Sequence, residues 1–179
     1  VNEFVYKGQL KDGQEVEEKR GKSAHLAPFA GHIGFFDTHS VSAVCKKREG
    51  GSRYTLKNAF IDIYLAAITV QDYLKHYSKV DEKEHDIVGI VSPYRAQASF
   101  ISKLLTDLVV KTEMGPENLA KFVEVNTVHK FQGNQRQVII FDLTDDFPIL
   151  RPAPIVDDNK EDGEDVKLIN VAVTRAKDK

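Results

Sequence analysis

The sequence predicts an α/β layered domain with a mostly parallel sheet, and three observations carry that prediction. A short apolar run, Ile87-Val88-Gly89-Ile90-Val91, lies between a charged cluster and Ser92-Pro93, the pattern of a strand buried on both faces. Two further segments, Lys121–Val125 and Val138–Leu143, have the composition and length of strands. Between and before these strands, apolar residues recur at intervals of three and four, the spacing of a helix face.

Taken in order, residues 1–23 are rich in Lys, Glu and Gly, with no apolar periodicity beyond Phe4, Val5 and Leu10, and are expected to form a surface arm. From His32 to Val44, the residues Ile33, Phe35, Phe36, Val41 and Val44 predict one or two strands interrupted by the turn-prone Asp37–Ser40. Past Gly50-Gly51, the spacing of Phe60, Ile63, Tyr64, Ala67, Val70 and Leu74 predicts a long helix packed on a sheet face. After the strand at Asp86–Val91, Ser92 is the expected N-cap and Pro93 the expected first helical residue. Phe100, Ile101, Leu104, Leu105 and Leu108 then mark a buried stripe. Residues 148–166 shift to proline and acid, with Asp157, Asp158, Glu161, Asp162, Glu164 and Asp165 close together. Like charges without a fixed scaffold repel into water, so a solvated acidic loop is expected.

At 179 residues the chain suits a single domain, because a two-domain split would leave each half little core. A net charge of -2 and a pI near 6.3 provide no broad basic field, so contact with nucleic acid is expected to be local. A single cysteine, Cys45, excludes an intramolecular disulfide and suits a reducing, cytoplasmic setting. It has no evident base partner and is expected to be inert. No apolar run approaches the roughly 18 residues of a membrane span, and no membrane partner is expected. The six histidines lack metal-ligand spacing, so no metal site is expected, although His129 lies beside a polar loop. The chain begins at Val1 without an initiator methionine and ends at Lys179, which suggests a fragment of a longer chain.

The segment TVHKFQGNQRQVIIFDL, from Thr127 to Leu143, sets a glycine-centred polar loop beside an apolar strand. NVAVTRAK, from Asn170 to Lys177, adds an arginine on a helix-compatible segment. That is the layout of a phosphate-handling site. Gly133 lets a backbone approach a phosphate closely, and Gln132 can both donate and accept hydrogen bonds. The plainer role of Gly133 is a turn. Arg175 offers a fork of donors suited to phosphate oxygens, or else serves as a surface arginine on an amphipathic helix. Ser92, Pro93 and Tyr94 end a strand where α/β sheets place their ligand crevice. Their plainer role is a cap, with Tyr94 packed on its own helix. Arg95 adds a charge for a phosphate or for the helix start.

IVSPYRAQ (Ile90–Gln97), TVHKFQG and NVAVTRAK resemble, in order, motifs four, five and six of superfamily 1 helicases. The likeness is greatest to the branch that includes the nonsense-mediated-decay helicase and its DNA-acting relatives. FVYKGQLKDG, from Phe4 to Gly13, looks more loosely like the segment after motif three. The resemblance implies a RecA-like, P-loop NTPase-type three-layer fold and, within it, the second (C-terminal) RecA-like domain of an ATP-dependent DNA or RNA helicase or translocase.

By the same resemblance, Arg175 is the arginine that reaches the γ-phosphate, and Gln132, Gly133 and Gln135 contact the nucleotide. Gln135 stands where the family carries an acidic residue on the ribose, and Gln137 where a second acid is common. An amide accepts a weaker hydrogen bond than a carboxylate, so a looser hold on the sugar is expected. Ser92, Pro93, Tyr94 and Thr127 fall along the track of single-stranded DNA or RNA. No GxxxxGK[ST] loop occurs, nor a strand ending in paired acids for Mg²⁺. The resemblance assigns these to a first RecA-like domain of the same parent chain, which would bind most of the ATP and Mg²⁺. The domain alone is then expected to be inactive. The alternative is a degenerate binding module, with Gln135 and Gln137 as marks of lost turnover.

Overall fold

The computed structural model describes residues 28, 33–38, 41, 43–76, 87–111, 119–149, 170–171 and 174–176. The expected surface arm at 1–23 lies outside the described residues, as does the acidic loop at 148–166 apart from its first two residues.

Strand β1 (Cys45–Lys47) pairs antiparallel with β2 (Arg53–Thr55), and helix α1 (Leu56–His76) follows directly. Gly50 and Gly51, at φ 88° and 90°, turn the chain between the two strands in a conformation that glycine adopts without steric cost. Strand β3 (Val88–Ser92) leads into α2 (Arg95–Lys111), and a 3-10 turn at Leu119–Lys121 precedes β4 (Val123–Thr127) and β5 (Val138–Phe141). The last three strands form a parallel sheet in the order β4-β3-β5, with Ile90 opposite both Val125 and Ile140. The central strand is buried at all five positions, which is why its sequence reads as a continuous apolar run.

Alternation along β3 separates two cores. Val88 and Ile90 join Ala59, Ile63, Ala66, Val70 and Tyr73 of α1 and Ile101 and Leu105 of α2. Val91 faces the other way, against Val128, Phe131 and the half-buried Ile139, Phe141 and Val171. Gly89 shares the Phe131 side. A Cβ there would stand 2.5 Å from Phe131 Cζ and 2.8 Å from Ile139 Cδ1, so glycine is what lets the phenyl ring approach the strand.

Four expectations require correction. No described residue in the 33–44 region lies in a strand, and Ile33, Phe35 and Phe36 are exposed; the first strand begins at Cys45. Its backbone partners come from β2 and from Phe147, whose carbonyl accepts from the Cys45 N–H at 2.8 Å. On α1, Phe60 and Tyr64 are 43% and 59% exposed, because the buried stripe is rotated onto Ala59, Ala66 and Tyr73. Small alanines let α1 come close to its neighbours, and periodicity alone does not distinguish that stripe from the larger residues beside it. Strand β4 starts two residues later than the expected Lys121, which the 3-10 turn occupies. Finally, Ser92 is the last residue of β3, and the helix begins at Arg95. The Ser92 hydroxyl accepts from the Tyr94 N–H at 3.2 Å, while Ser52 Oγ accepts from the Ala96 N–H at 2.9 Å and caps the helix from the hairpin side.

Candidate nucleic-acid and nucleotide site

An open cleft of about 440 Å³ lies at the C-terminal ends of β3 and β4. Pro93, Arg95, Ser99 and Ser102 line one wall, and Asn126, Thr127, His129 and Lys130 line the other. Parallel pairing of Ser92 with Thr127 brings the two segments side by side, and the Val128 N–H donates to the Ser92 carbonyl at 3.3 Å. Hydroxyls, two basic side chains and an imidazole on one concave surface are groups that bind phosphate oxygens. Of the residues expected along a strand, Pro93 and Thr127 line the cleft. Arg95, His129 and Lys130 extend that set.

Ser92 and Tyr94 do not line it. Tyr94 is only 8% exposed, and its hydroxyl donates to Asp145 Oδ1 at 2.6 Å. Arg53 lies across its ring, 5.4 Å from the centroid, and donates from Nη1 to the same Asp145 oxygen at 2.6 Å. Burial pushes the Tyr94 hydroxyl well above its ordinary pKa, and the hydrogen bond to Asp145 adds to that shift. Burial tends to lower the pKa of Arg53, but the hydrogen bond and charge of Asp145 outweigh it, and the value rises. The ring therefore packs inward, against Arg53.

Behind the cleft, a polar cluster joins three elements. Gln97 Nε2 donates to Asp142 Oδ2 at 2.7 Å, and Gln97 Oε1 accepts from the Thr55 N–H at 2.8 Å. Asp142 Oδ1 accepts from the Thr144 N–H at 2.7 Å. The Thr144 and Ser92 hydroxyls are 3.0 Å apart. Thr144 has φ 67°, a strained value for a β-branched residue, and Thr55 Oγ1 donates to its carbonyl at 2.8 Å. On α1, burial raises the Asp62 carboxyl well above the usual carboxylate range, and the neighbouring Asp142 reinforces the shift by charge and hydrogen bond.

The loop after β4 is anchored by Phe131, which is fully buried, while Gln132, Gly133, Asn134 and Gln135 are exposed. Glu124 of β4 holds the loop by accepting from Asn134 Nδ2 at 3.3 Å and by pairing with Arg136. Gly133, at φ 93°, serves the turn, and nothing lies within 4 Å of where its Cβ would be. Its backbone is therefore open to approach. The Arg136 N–H donates to the Arg175 carbonyl at 3.0 Å, which brings the TRAK segment alongside the loop. The Arg175 guanidinium folds back on its own turn, donating from Nε to the Val171 carbonyl at 3.0 Å and from Nη2 to Thr174 Oγ1 at 3.2 Å. Reaching a phosphate would cost it those two bonds. The chain has no phosphate loop to hold a nucleotide by itself. Among the described residues no group of three or more His, Cys, Asp or Glu is placed to hold a metal ion. No described helix is long and apolar enough to cross a membrane.

Sequence reasoning missed Gln97, Asp142, Asp145 and Arg53. The signal for the two acids was available: Asp142-Leu143-Thr144-Asp145 follows an apolar strand at the carboxyl edge of a parallel sheet.

The model of the AAA domain family matches residues 1–179. The chain belongs to that family. It is a domain of the superfamily 1 helicase type, and its parallel sheet with packed helices is an α/β RecA-like fold. The AAA domain is 28% identical over 153 residues to the DNA replication ATP-dependent helicase/nuclease DNA2 of Bos taurus, covering 82% of this chain and 11% of that protein. It is 27% identical over 176 residues to the probable helicase MAGATAMA 3 of Arabidopsis thaliana, covering 96% of this chain and 19% of that protein. The DNA polymerase alpha-associated DNA helicase A of Saccharomyces cerevisiae is 32% identical over 74 residues, 41% of this chain and 9% of that protein. The AAA domain thus spans less than a fifth of the length of these relatives.

Proposed function

We propose that this domain is the second, C-terminal RecA-like half of an ATP-dependent helicase or translocase acting on single-stranded DNA or RNA. The observation that carries the reading is the cleft at the ends of β3 and β4, where Pro93, Arg95, Thr127, His129 and Lys130 face one another. A strand backbone laid there would find hydroxyl and basic donors for its phosphates, which position a strand without reading its sequence. The names of the relatives, among them a DNA replication helicase/nuclease and a DNA helicase, support the same class of substrate.

In this proposal ATP with Mg²⁺ is held mainly by a first RecA-like domain of the same parent chain. Mg²⁺, when bound, neutralises charge on the phosphates. Gln132, Gly133 and Gln135 meet the nucleotide from this side, and Arg175 leaves its own turn to place its guanidinium against the γ-phosphoryl group. A cytoplasmic setting belongs to the same proposal, in keeping with the single, buried Cys45. The alternative, a binding module without turnover, is favoured by one observation, the amides Gln135 and Gln137 at positions where the resembled family carries acids.

The test is ATP hydrolysis by the full parent chain with and without oligo(dT) or oligo(U), comparing wild type with Arg175→Ala. An arginine finger is worth about 10³- to 10⁵-fold in turnover, so a strand-stimulated rate should collapse in the variant. A wild-type chain without turnover on either strand would favour the binding module. A robust rate indifferent to Arg175 would mean that the arginine is misassigned. The isolated domain should hydrolyse no ATP above background.

A further inference from the structure

At the corner between β3 and α2, three residues are held by one segment of chain. Ser92 meets Thr144 (3.0 Å between hydroxyls), Tyr94 meets Asp145 (2.6 Å) and Gln97 meets Asp142 (2.7 Å). Pro93 and Arg95, between them, and Ala98 and Ser99, just after them, line the cleft. The segment Asp142–Asp145 lies outside the cleft lining, yet it holds Ser92, Tyr94 and Gln97, which are the direct chain neighbours of Pro93, Arg95 and Ala98 in the wall. It is itself rigidly fixed. Thr144 is held at a positive φ by the Asp142 carboxyl on its N–H and by Thr55 Oγ1 on its carbonyl, and Arg53 pairs with Asp145. A backbone conformation that is costly for threonine, fixed from both sides next to a candidate site, is where stored strain serves positioning.

We infer that Asp142–Asp145 is a brace that positions the strand-binding wall, with Asp145 as its principal positioning residue acting on Arg95 through Tyr94. The inference rests on the proposed strand cleft. Arg95 follows Tyr94 directly as the first residue of α2, so the bond that fixes the tyrosine ring acts one residue away from it. Loss of the Tyr94–Asp145 bond frees that ring and lets the Arg95 guanidinium wander from the phosphate position. Binding groups lose most of their effect when displaced by about an ångström, even though the groups themselves remain.

The experiment uses the full parent protein and a fluorescently labelled oligo(dT), with binding followed by anisotropy across a salt series. Arg95→Ala is the reference: it should weaken binding and reduce the salt slope by about one, the loss of one phosphate contact. Tyr94→Phe, which keeps the ring and removes only the hydroxyl, and Asp145→Ala should each weaken binding about three- to tenfold and lower the slope similarly. Asp145→Asn, which keeps an acceptor for the tyrosine, should restore most of the affinity. In a double-mutant cycle, Tyr94→Phe should add little once Arg95 is alanine. KM for ATP should stay within about twofold, since the brace acts on Arg95 and not on the residues assigned to the nucleotide. Unchanged affinity and slope in both Tyr94→Phe and Asp145→Ala would overturn the inference. So would loss of affinity with an unchanged slope and a parallel rise in KM for ATP, the mark of a merely structural role. Wild-type protein that binds no strand would overturn the cleft reading and this inference with it, whereas binding that survives the variants would overturn the inference alone.

Discussion

Gln97 Nε2 donates to Asp142 Oδ2 at 2.7 Å where neither residue meets solvent appreciably, joining the first turn of α2 to the end of β5. The same amide bonds both backbone groups of Thr55, accepting from its N–H at 2.8 Å and donating to its carbonyl at 3.2 Å. One side chain thereby closes three elements around a polar centre, and a half-satisfied version of such a centre is worse than an apolar one.

Gln97→Leu keeps the volume and removes these bonds. Each buried group left without a partner costs about 1–3 kcal/mol, so a total loss of about 3 kcal/mol is expected. Urea unfolding, read as a lower midpoint at an unchanged slope, checks it; a loss under about 1 kcal/mol would show that the groups find other partners.

Gly89→Ala tests the approach of Phe131 to β3. The added methyl would stand 2.5 Å from a ring that is itself fully buried, so the sheet or the loop has to shift. Overpacking of this kind costs about 1–3 kcal/mol, and a second change, Phe131→Leu, should recover part of it. Melting temperatures of the two single variants and the double variant provide the comparison.

Asp62 predicts a pH dependence of defined sign. Its folded pKa is raised by burial and by Asp142, so the folded chain holds the proton more tightly than the unfolded one. The corresponding stability is fully present below the unfolded value, about 4, and is lost as pH rises toward the folded value. Asp62→Asn has nothing to titrate there. Wild-type stability should therefore fall relative to the variant as pH rises from about 4 toward neutrality, and parallel curves would contradict the raised pKa.

Cys45 should be unreactive in the folded chain. Burial pushes its thiol up, against the smaller opposing effect of hydrogen bonds from its surroundings, and only the thiolate attacks a disulfide reagent. Labelling with an aromatic disulfide at pH 7 should be complete within minutes in denaturant and slow in native buffer. Equal rates would place the thiol in solvent.

Much of the fold was legible because burial leaves a local trace. The run from Ile87 to Val91 is apolar throughout because both faces of β3 are covered, and Ile63 and Val70 recur on α1 because one face of that helix is covered. The misassigned residues fail for a related reason. Phe60 and Tyr64 lie beside the true stripe, and a period of 3.6 fixes the spacing of a buried face better than its orientation. In the candidate site, Pro93 and Thr127 were legible from motif and strand end, while Arg95 stood open between two roles and Lys130 carried no signal of its own.

By itself the sequence determined the long helix α1, the succession β3, α2, β4 and β5, and the absence of a phosphate loop. Only the tertiary structure decided that Tyr94 turns inward and that Asp142, Thr144 and Asp145 hold the wall of the cleft. Those bonds join residues 45 to 52 positions apart in the chain. Hydrophobic periodicity reports how each residue meets its neighbours along one element. A hydrogen bond between side chains of different elements depends on which strands pair and in what register, and that is settled only when the sheet closes.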